Sequence, residues 1–216
     1  MSTYAVKGPE GTPAVIKTVR ARLAAGGIEH VVVATTSGKT AVEFTKALSD
    51  LGARLVAVTH HVGFREGDLF ELEPDQATAL SAAGATVVTC SHALSGVGRS
   101  ISRTFGGVTA PELVAHTLRM FGQGMKVCVE IAIMATDAGA IPTDRHVHCV
   151  GGTGRGADTA VVLRPAHASN VFDLRIREIL CRPIGWTHDV GAAEGSSMLS
   201  DGRGLVDPQN AGVHGR

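Results

Sequence analysis

The stretch 31-VVVATTSGKT-40 joins an apolar, β-branched run to a turn that carries glycine, lysine and four hydroxyl side chains. A run that is apolar at every position is typical of a parallel strand covered by helices on both faces. Ser37 is expected to cap a helix, whose first N–H groups and positive dipole end then form a site for a phosphate. The candidate phosphate-binding residues are Thr35, Thr36, Ser37, Gly38, Lys39 and Thr40.

The same succession of helix, glycine and apolar run occurs at 24-AAGGIEHVVVATT-36, 50-DLGARLVAVTHH-61 and 82-AAGATVVTC-90. Glycine just past a helix supplies the left-handed residue that ends it, and the β-branched run after it is typical of a strand. Repetition of this unit indicates parallel strands joined by crossover helices. We therefore predict an α/β fold, a three-layer α/β/α sandwich.

Two further strand-like runs, 146-HVHCV-150 and 159-TAVVL-163, are separated only by residues 151–158. A parallel crossover needs about a dozen residues or more, so this pair is predicted to be an antiparallel hairpin. With the strand at 31–34 in the centre, the mixed five-stranded sheet has the order 3-2-1-4-5 with strand 5 antiparallel. A buried helix is predicted at 126–138 and a final amphipathic helix at 171–181.

The length of 216 residues suits one domain with a single core. We interpret 1–190 as a single α/β phosphate-ligand-binding domain and 191–216, rich in Gly, Ser and Asp, as a disordered tail. Lys+Arg and Asp+Glu each number 20, and the zero net charge argues against a nucleic-acid partner. Because no apolar run reaches signal-peptide or membrane-span length, we expect a cytoplasmic protein without a membrane partner. The four widely spaced cysteines are expected to be reduced and mostly buried.

A second glycine-rich loop is expected to face the first across the sheet edge. Ligands of open α/β sheets bind at the carboxyl ends of the strands, where the strand order reverses. Here those ends lead into 35-TTSGKT-40 and 151-GGTGRG-156, and Arg155 is suited to a bidentate contact with phosphate. Hairpin connections also favour glycine, and Asp158 could either bind a sugar hydroxyl or orient Arg155. The candidate ligand residues in this loop are Gly152, Thr153, Gly154 and Arg155.

The Gly-Lys-Thr of the first turn also invites comparison with a nucleoside triphosphatase. The P-loop pattern requires a glycine at position 33, where this chain has Val33. The predicted strand 86-TVVTC-90 ends without the aspartate that would hold magnesium. A single terminal phosphate therefore fits this turn better than a triphosphate.

Polar and aromatic residues follow the second and third predicted strands. They are expected to hydrogen-bond or stack with the ligand rather than to bind a metal, because no third ligand has convincing spacing. The segment 91–108 contains several glycines and is either a mobile lid or an ordinary surface loop. The candidate ligand contacts at these strand ends are His60, His61, Phe64 and His92.

The turn 35-TTSGKTA-41 resembles the T-x-S-G-[RK]-[ST]-A loop of the C-terminal α/β domain of pyruvate kinase, which grips a phosphate of a sugar-bisphosphate effector. The resemblance implies the sheet order 3-2-1-4-5 with an antiparallel fifth strand. The catalytic barrel of pyruvate kinase has no counterpart in this chain, so pyruvate kinase activity is not implied.

Longer stretches resemble a stand-alone family of pyruvate kinase α/β domain-like proteins associated with bound flavin mononucleotide (FMN). They include 60-HHVGF-64, 127-VCVEIAIMATDAG-139 and 151-GGTGRGADTA-160. The resemblance implies FMN as the cofactor, and one hypothesis is a flavin-dependent oxidoreductase whose substrate and catalytic residues are unknown. A non-catalytic regulatory module that binds a sugar phosphate is the alternative, and a metal-dependent hydrolase is a third. A homo-oligomer is expected from the fold alone.

Overall fold

The computed structural model describes the backbone of residues 3–184, so the predicted tail at 191–216 and the last part of the predicted domain lie outside the described residues. Within this range, seven strands form one sheet in the order β1-β7-β6-β5-β2-β3-β4. The strands are β1 Thr3–Ala5, β2 His30–Ala34, β3 Arg54–Thr59, β4 Thr86–Thr89, β5 Val147–Gly151, β6 Thr159–Arg164 and β7 Arg175–Pro183.

Helices connect the strands and cover the sheet. Short 3-10 turns occupy Pro9–Gly11, Ser49–Leu51 and Ala168–Asp173. The α-helices are α1 Thr12–Ala24, α2 Lys39–Leu48, α3 Pro74–Ala82, α4 Gly96–Phe105, α5 Ala110–Arg119 and α6 Gln123–Asp137. No helix among these is both long and apolar enough to cross a membrane.

The predicted five-stranded sheet is confirmed as the series β4-β3-β2-β5-β6. β2 pairs in parallel with β3 on one side and β5 on the other, and β5 pairs antiparallel with β6. The two additional strands extend the β6 edge, where β7 is antiparallel to β6 and β1 is parallel to β7. The hairpin argument therefore gave the correct direction for the fifth strand.

The predicted helix at 171–181 is wrong, because most of this segment is strand β7. Two register shifts interrupt the pairing of β7 with β6, so Ile176 lies opposite Leu163 while Ile179 lies opposite Val161. Each irregularity of this kind offsets the usual alternation of a strand. The apolar residues consequently recur at a spacing of three, which imitates the period of a helix.

The core has two layers, one on each face of the sheet. Val31 and Val33 of β2 pack on the side of α1 and α2, which contribute Val19 and Phe44. Val32 points the opposite way, into a cluster formed with α6. This arrangement explains why β2 is apolar at each of its central positions, and it confirms the three-layer sandwich.

Helix α6 confirms the buried helix predicted at 126–138. Its inner face packs on the sheet, and its outer face packs against α5 through Val129, Ile133 and Ala115. The segment 91–108, which was interpreted as a loop, instead contains α4. No residue of α4 is fully buried. Because this helix lies at the surface and is rich in glycine and polar residues, its sequence pattern did not predict a helix.

Candidate functional site

The turn between β2 and α2 has the predicted helix start, but Ser37 is not its cap. Gly38 occupies the N-cap position with φ 99°, and the Thr35 hydroxyl oxygen accepts the Gly38 N–H at 3.1 Å. Thr35 can do so because its own N–H is fixed to the carbonyl oxygen of Val58 at 2.9 Å on the neighbouring strand. The buried threonine, anchored in the sheet, thus closes the turn that the serine was expected to close.

Gly38 is required both by its backbone angle and by a close neighbour. A Cβ at this position would lie 2.5 Å from Cβ of Gln76 and 2.8 Å from Cδ1 of Leu72. The same segment is tied to the turn by the Glu73 N–H, which donates to the carbonyl oxygen of Ser37 at 3.1 Å. Residues 72–76 therefore form one wall of the turn.

The remaining first-turn donors of α2 suit an anion. N–H groups in the first turn of a helix have no intrahelical acceptor, and those of Lys39, Thr40 and Ala41 follow the one that Thr35 satisfies. The Lys39 ammonium forms an ion pair with Glu73 at 3.2 Å, with side chains 61% and 45% exposed. At that exposure the pair is weak, so Lys39 is able to exchange Glu73 for a phosphate.

The loop after β5 leaves the same edge of the sheet as this turn, because Val33 of β2 pairs with Val150 of β5. Its backbone wraps around the fully buried carboxylate of Asp158. That carboxylate accepts the N–H groups of Gly8 at 3.3 Å and Thr153 at 2.9 Å, and the Thr159 hydroxyl at 2.7 Å. Asp158 is therefore an internal anchor of the loop, and the two roles considered for it, binding a sugar hydroxyl and orienting Arg155, stay predictions.

Packing accounts for two glycines of this loop. A Cβ on Gly156 (φ 74°) would collide with Pro9, and a Cβ on Gly152 would collide with the carbonyl oxygen of Gly156. Gly154 has φ 80° and open space around it, and Arg155 is exposed. The glycine density thus reflects docking of the N-terminal segment, while Gly154 and Arg155 form the accessible tip.

The four residues predicted after β3 and β4 come together. The His60 and Phe64 rings are 4.0 Å apart between centroids, and Phe64 and His92 are 4.7 Å apart. His61 contacts both Phe64 and His92 at 5.6 Å. We call His60, His61, Phe64 and His92 the ring cluster.

Charged groups surround the ring cluster. The His60 Nδ1 lies 2.6 Å from Oε2 of Glu71, whose other oxygen pairs with Nε of Arg65 at 3.1 Å. The guanidinium of Arg99, on α4, lies 5.6 Å from the Phe64 ring centroid in a cation–π contact. Glu71 also precedes the wall of the phosphate turn, so the turn and the ring cluster adjoin one another.

A family model described as pyruvate kinase, alpha/beta domain, matches residues 13–163, which are 151 of the 216 residues. The chain belongs to this family. The match includes the phosphate turn, the ring cluster and the loop after β5. Strand β7 and strand β1 lie outside it, so in this member of the pyruvate kinase alpha/beta domain family they are additions to the matched sheet.

This member of the family also has a buried ion pair that sequence reasoning missed. Lys126 and Glu130 on α6 are each 4% exposed, and their side chains meet at 2.6 Å. The other carboxylate oxygen of Glu130 accepts the N–H of Leu94 at 3.1 Å, just beyond His92. Two opposite charges four residues apart in the otherwise apolar stretch 125-MKVCVEIAIMA-135 were the available signal.

The pKa of His92 is lowered to about 4, chiefly by burial, with the Glu130 charge acting in the opposite direction. Burial also opposes ionisation of Glu130, but the Lys126 charge, His92 and hydrogen bonds together lower the pKa of that carboxyl. At neutral pH this part of the site therefore presents a neutral imidazole beside a paired carboxylate and ammonium.

Metal binding by the ring cluster gains no support. Within residues 3–184, no three His, Cys, Asp or Glu side chains are grouped so as to hold a metal ion. The His61 ring instead meets the Phe64 ring edge-on, and its Nδ1 is already hydrogen-bonded to Val62 through the carbonyl oxygen at 2.7 Å. The four cysteines are free thiols, and all but Cys90 are buried, as predicted.

This chain also has a cavity of about 320 Å³ at the opposite edge of the sheet, before the start of β2 and β5. An ion pair between Arg145 and Glu29 at 3.5 Å crosses it, with both side chains more than half exposed. Its lining residues are Gly27, Ile28, Glu29, His30, Asp144, Arg145 and His146. The cavity shares no residue with the phosphate turn or the ring cluster.

Proposed function

We propose that this protein binds a small phosphorylated ligand whose phosphate sits on the first turn of α2 and whose ring lies against the ring cluster. The observation that carries the proposal is the junction of an anion-binding helix start with an aromatic cluster. Thr35 joins β2 to β3 through its N–H bond to Val58, and the ring cluster begins directly after β3.

The phosphate end of this proposal rests on backbone groups. Three consecutive N–H groups at the positive end of a helix dipole favour an anion, and Thr36 and Thr40 are both partly accessible to add hydroxyl donors. The first turn of α6 lies near the same edge, because a Cβ on Gly151 would lie 2.7 Å from the carbonyl oxygen of Gly124. Two helix starts therefore raise the local potential for an anion.

FMN is the ligand that we propose, because it combines a single terminal phosphate with a large planar ring. Phe64 and the histidines present partly exposed ring surfaces, which favour stacking with a heteroaromatic ring. When bound, the flavin would supply hydride and single-electron chemistry, and the protein residues would bind and orient it. An oxidoreductase activity, a cytoplasmic location and a homo-oligomeric state remain predictions.

The alternative is a non-catalytic regulatory module for a sugar phosphate. The support for it is that the family match at residues 13–163 includes the phosphate turn. A sugar phosphate, however, offers no flat surface for the ring cluster. Binding of sugar bisphosphates without binding of flavins would support the alternative over FMN.

The test compares FMN with riboflavin, which has the same ring but no phosphate. Hydrogen bonds to a charged group contribute about 1.5–3 kcal/mol, so we expect FMN to bind roughly 10–100 times more tightly than riboflavin. Thr40→Glu should abolish this preference, because a carboxylate would then occupy the anion site. An acidic residue in the first turn is favourable for a helix, so the variant should remain folded.

Fluorescence titration measures both affinities, and Thr117→Glu is the matched control. Thr117 is exposed on α5, on the other face of the sheet, and the same substitution there should leave the FMN preference intact. Equal affinity for FMN and riboflavin in the unmodified protein would refute phosphate binding at the turn. Retention of the FMN preference in Thr40→Glu would show that the phosphate binds elsewhere.

A further inference from the structure

A row of three charged or titratable side chains leads from Arg65 through Glu71 to His60 of the ring cluster. Arg65 pairs with one oxygen of the Glu71 carboxylate at 3.1 Å, and the other oxygen contacts His60 Nδ1 at 2.6 Å. The Glu71 side chain is 11% exposed and that of His60 is 26% exposed. A carboxylate held on one side and directed at an imidazole on the other is the arrangement by which proteins orient a histidine base.

The contact with Glu71 decides which nitrogen of His60 carries the proton. An ionised carboxylate only accepts hydrogen bonds, so the neutral imidazole must present Nδ1–H to Glu71. Its Nε2 is then left with a lone pair, and no residue in the described part of the chain donates a hydrogen bond to it. His60 therefore offers a proton acceptor on the partly exposed side of its ring.

The position of His60 ties this acceptor to the ligand ring. The His60 ring packs 4.0 Å from Phe64 at an interplanar angle of 34°, and 5.2 Å from His92. A planar ring that packs against the side of the ring cluster formed by His60 and Phe64 lies beside the His60 imidazole. We propose that His60 is the proton-accepting residue of the site and that Glu71 is its positioning residue. This inference rests on the proposed function.

The ligand class is a planar heteroaromatic ring that carries an N–H or O–H group. His60 Nε2 accepts the hydrogen of that group, and in full transfer the N–H or O–H bond breaks while its electron pair stays on the ring. The product is an imidazolium paired with the Glu71 carboxylate and an anionic ring. Proton transfer alone balances this step, so it requires no oxidant or reductant.

Among the described residues, five other charged or titratable side chains lie near His60, on its own segment and on the neighbouring elements. His92 remains neutral at neutral pH, because burial lowers its pKa to about 4. Lys126 and Glu130 neutralise one another on α6, and Arg99 faces Phe64 from α4. His61 is the remaining titratable neighbour, on the same segment as His60, Arg65 and Glu71.

The first experiment needs no ligand. ¹⁵N NMR of the histidine rings reports which nitrogen is protonated, and at pH 8 His60 should show a protonated Nδ1 and an unprotonated Nε2. Glu71→Gln should weaken this preference, because an amide can either accept from Nδ1–H or donate to an unprotonated Nδ1, while Glu71→Asp should keep part of it. A His60 ring with protonated Nε2 in the unmodified protein would overturn the proposal.

A second carboxylate–histidine pair provides the matched control. His167 Nδ1 lies 2.9 Å from Oδ1 of Asp137, with side chains 55% and 42% exposed, at the C-terminal end of α6. Asp137→Asn should alter the His167 ring signals and leave those of His60 unchanged. It should also leave flavin affinity unchanged, because the pair shares no residue with the ring cluster.

The second experiment measures riboflavin affinity at pH 8, because riboflavin has no phosphate and reports the ring contact alone. Neutral His60 should accept a hydrogen bond from the ring at Nε2, so the loss of this acceptor should weaken binding. His60→Phe and Glu71→Gln should each weaken binding at pH 8 by about 2- to 12-fold, the equivalent of one hydrogen bond.

The outcomes separate this proposal from the proposed function. If riboflavin and FMN both fail to bind the unmodified protein, the flavin proposal fails, and the NMR result still decides the protonation of His60. If flavin binds but His60→Phe keeps the affinity of the unmodified protein, the role of His60 is refuted while the proposed function stands.

Discussion

Removal of one partner of the Lys126–Glu130 pair should destabilise the fold strongly. Both side chains are 4% exposed, and their charged groups meet at 2.6 Å. Lys126→Met leaves a carboxylate buried beside Leu94, and Glu130→Gln leaves an ammonium buried on α6. An unpaired buried charge costs about 3–5 kcal/mol, so each single variant should lose about that much free energy of unfolding.

The double variant Lys126→Met/Glu130→Gln separates the pair from the packing. It buries no charge, and the glutamine oxygen still accepts the N–H of Leu94, so it should be more stable than either single variant. For a domain of this size, about 1 kcal/mol shifts Tm by about 2–4 °C, so each single variant should melt roughly 6–20 °C lower. Urea titration at pH 7 gives the coupling energy from the four proteins.

The pair also predicts a pH dependence with a definite sign. The pKa of Glu130 is lowered, so its contribution is present above the pKa of an unfolded glutamate and is lost as pH falls through the folded value. Stability of the unmodified protein should therefore fall more steeply in acid than that of the double variant. Single variants within about 1 kcal/mol of the unmodified protein at pH 7 would refute the reasoning.

Two further substitutions test the backbone and the core. Gly38→Ala should cost about 2–4 kcal/mol in urea titration, because its φ is 99° and its Cβ would meet Gln76, whereas Gly52→Ala, at φ 64° in open space, should cost about 1 kcal/mol. Equal losses would contradict the contact. His148 is fully buried with both ring nitrogens unpaired, and burial lowers its pKa to about 4. As pH falls from 6.5 to 4, the unmodified protein should therefore lose roughly 3 kcal/mol of stability through His148, and His148→Leu should not show this loss. An unchanged dependence of stability on pH in the variant would contradict this.

Local patterns predicted the central part of the fold well. Each apolar run that follows a helix and a glycine is a parallel strand, and the short separation of β5 and β6 required their antiparallel pairing. The same reasoning brought the phosphate turn and the loop after β5 to one edge. These inferences succeed because strand direction and helix period depend on residues close together in the chain.

Two inferences failed where distant residues decide the outcome. Irregular pairing with β6 gave β7 its helix-like spacing, which only the partner strand reveals. Thr35 replaced Ser37 at the helix start because its backbone is held by β3. The packing of Gly156 against Pro9 was also not visible in the sequence, because the chain brings these two residues together only on folding.

The sequence by itself determined the α/β class, the central strand order and the positions of the candidate ligand residues, because apolar periodicity and turn chemistry act over short distances. Only the tertiary structure decided which of those residues meet. It stacked Phe64 with His60 and His92, set Glu71 against Nδ1 of His60, and buried Lys126 beside Glu130. Such contacts depend on how strands and helices pack in three dimensions, and their partners lie up to tens of residues apart in the chain.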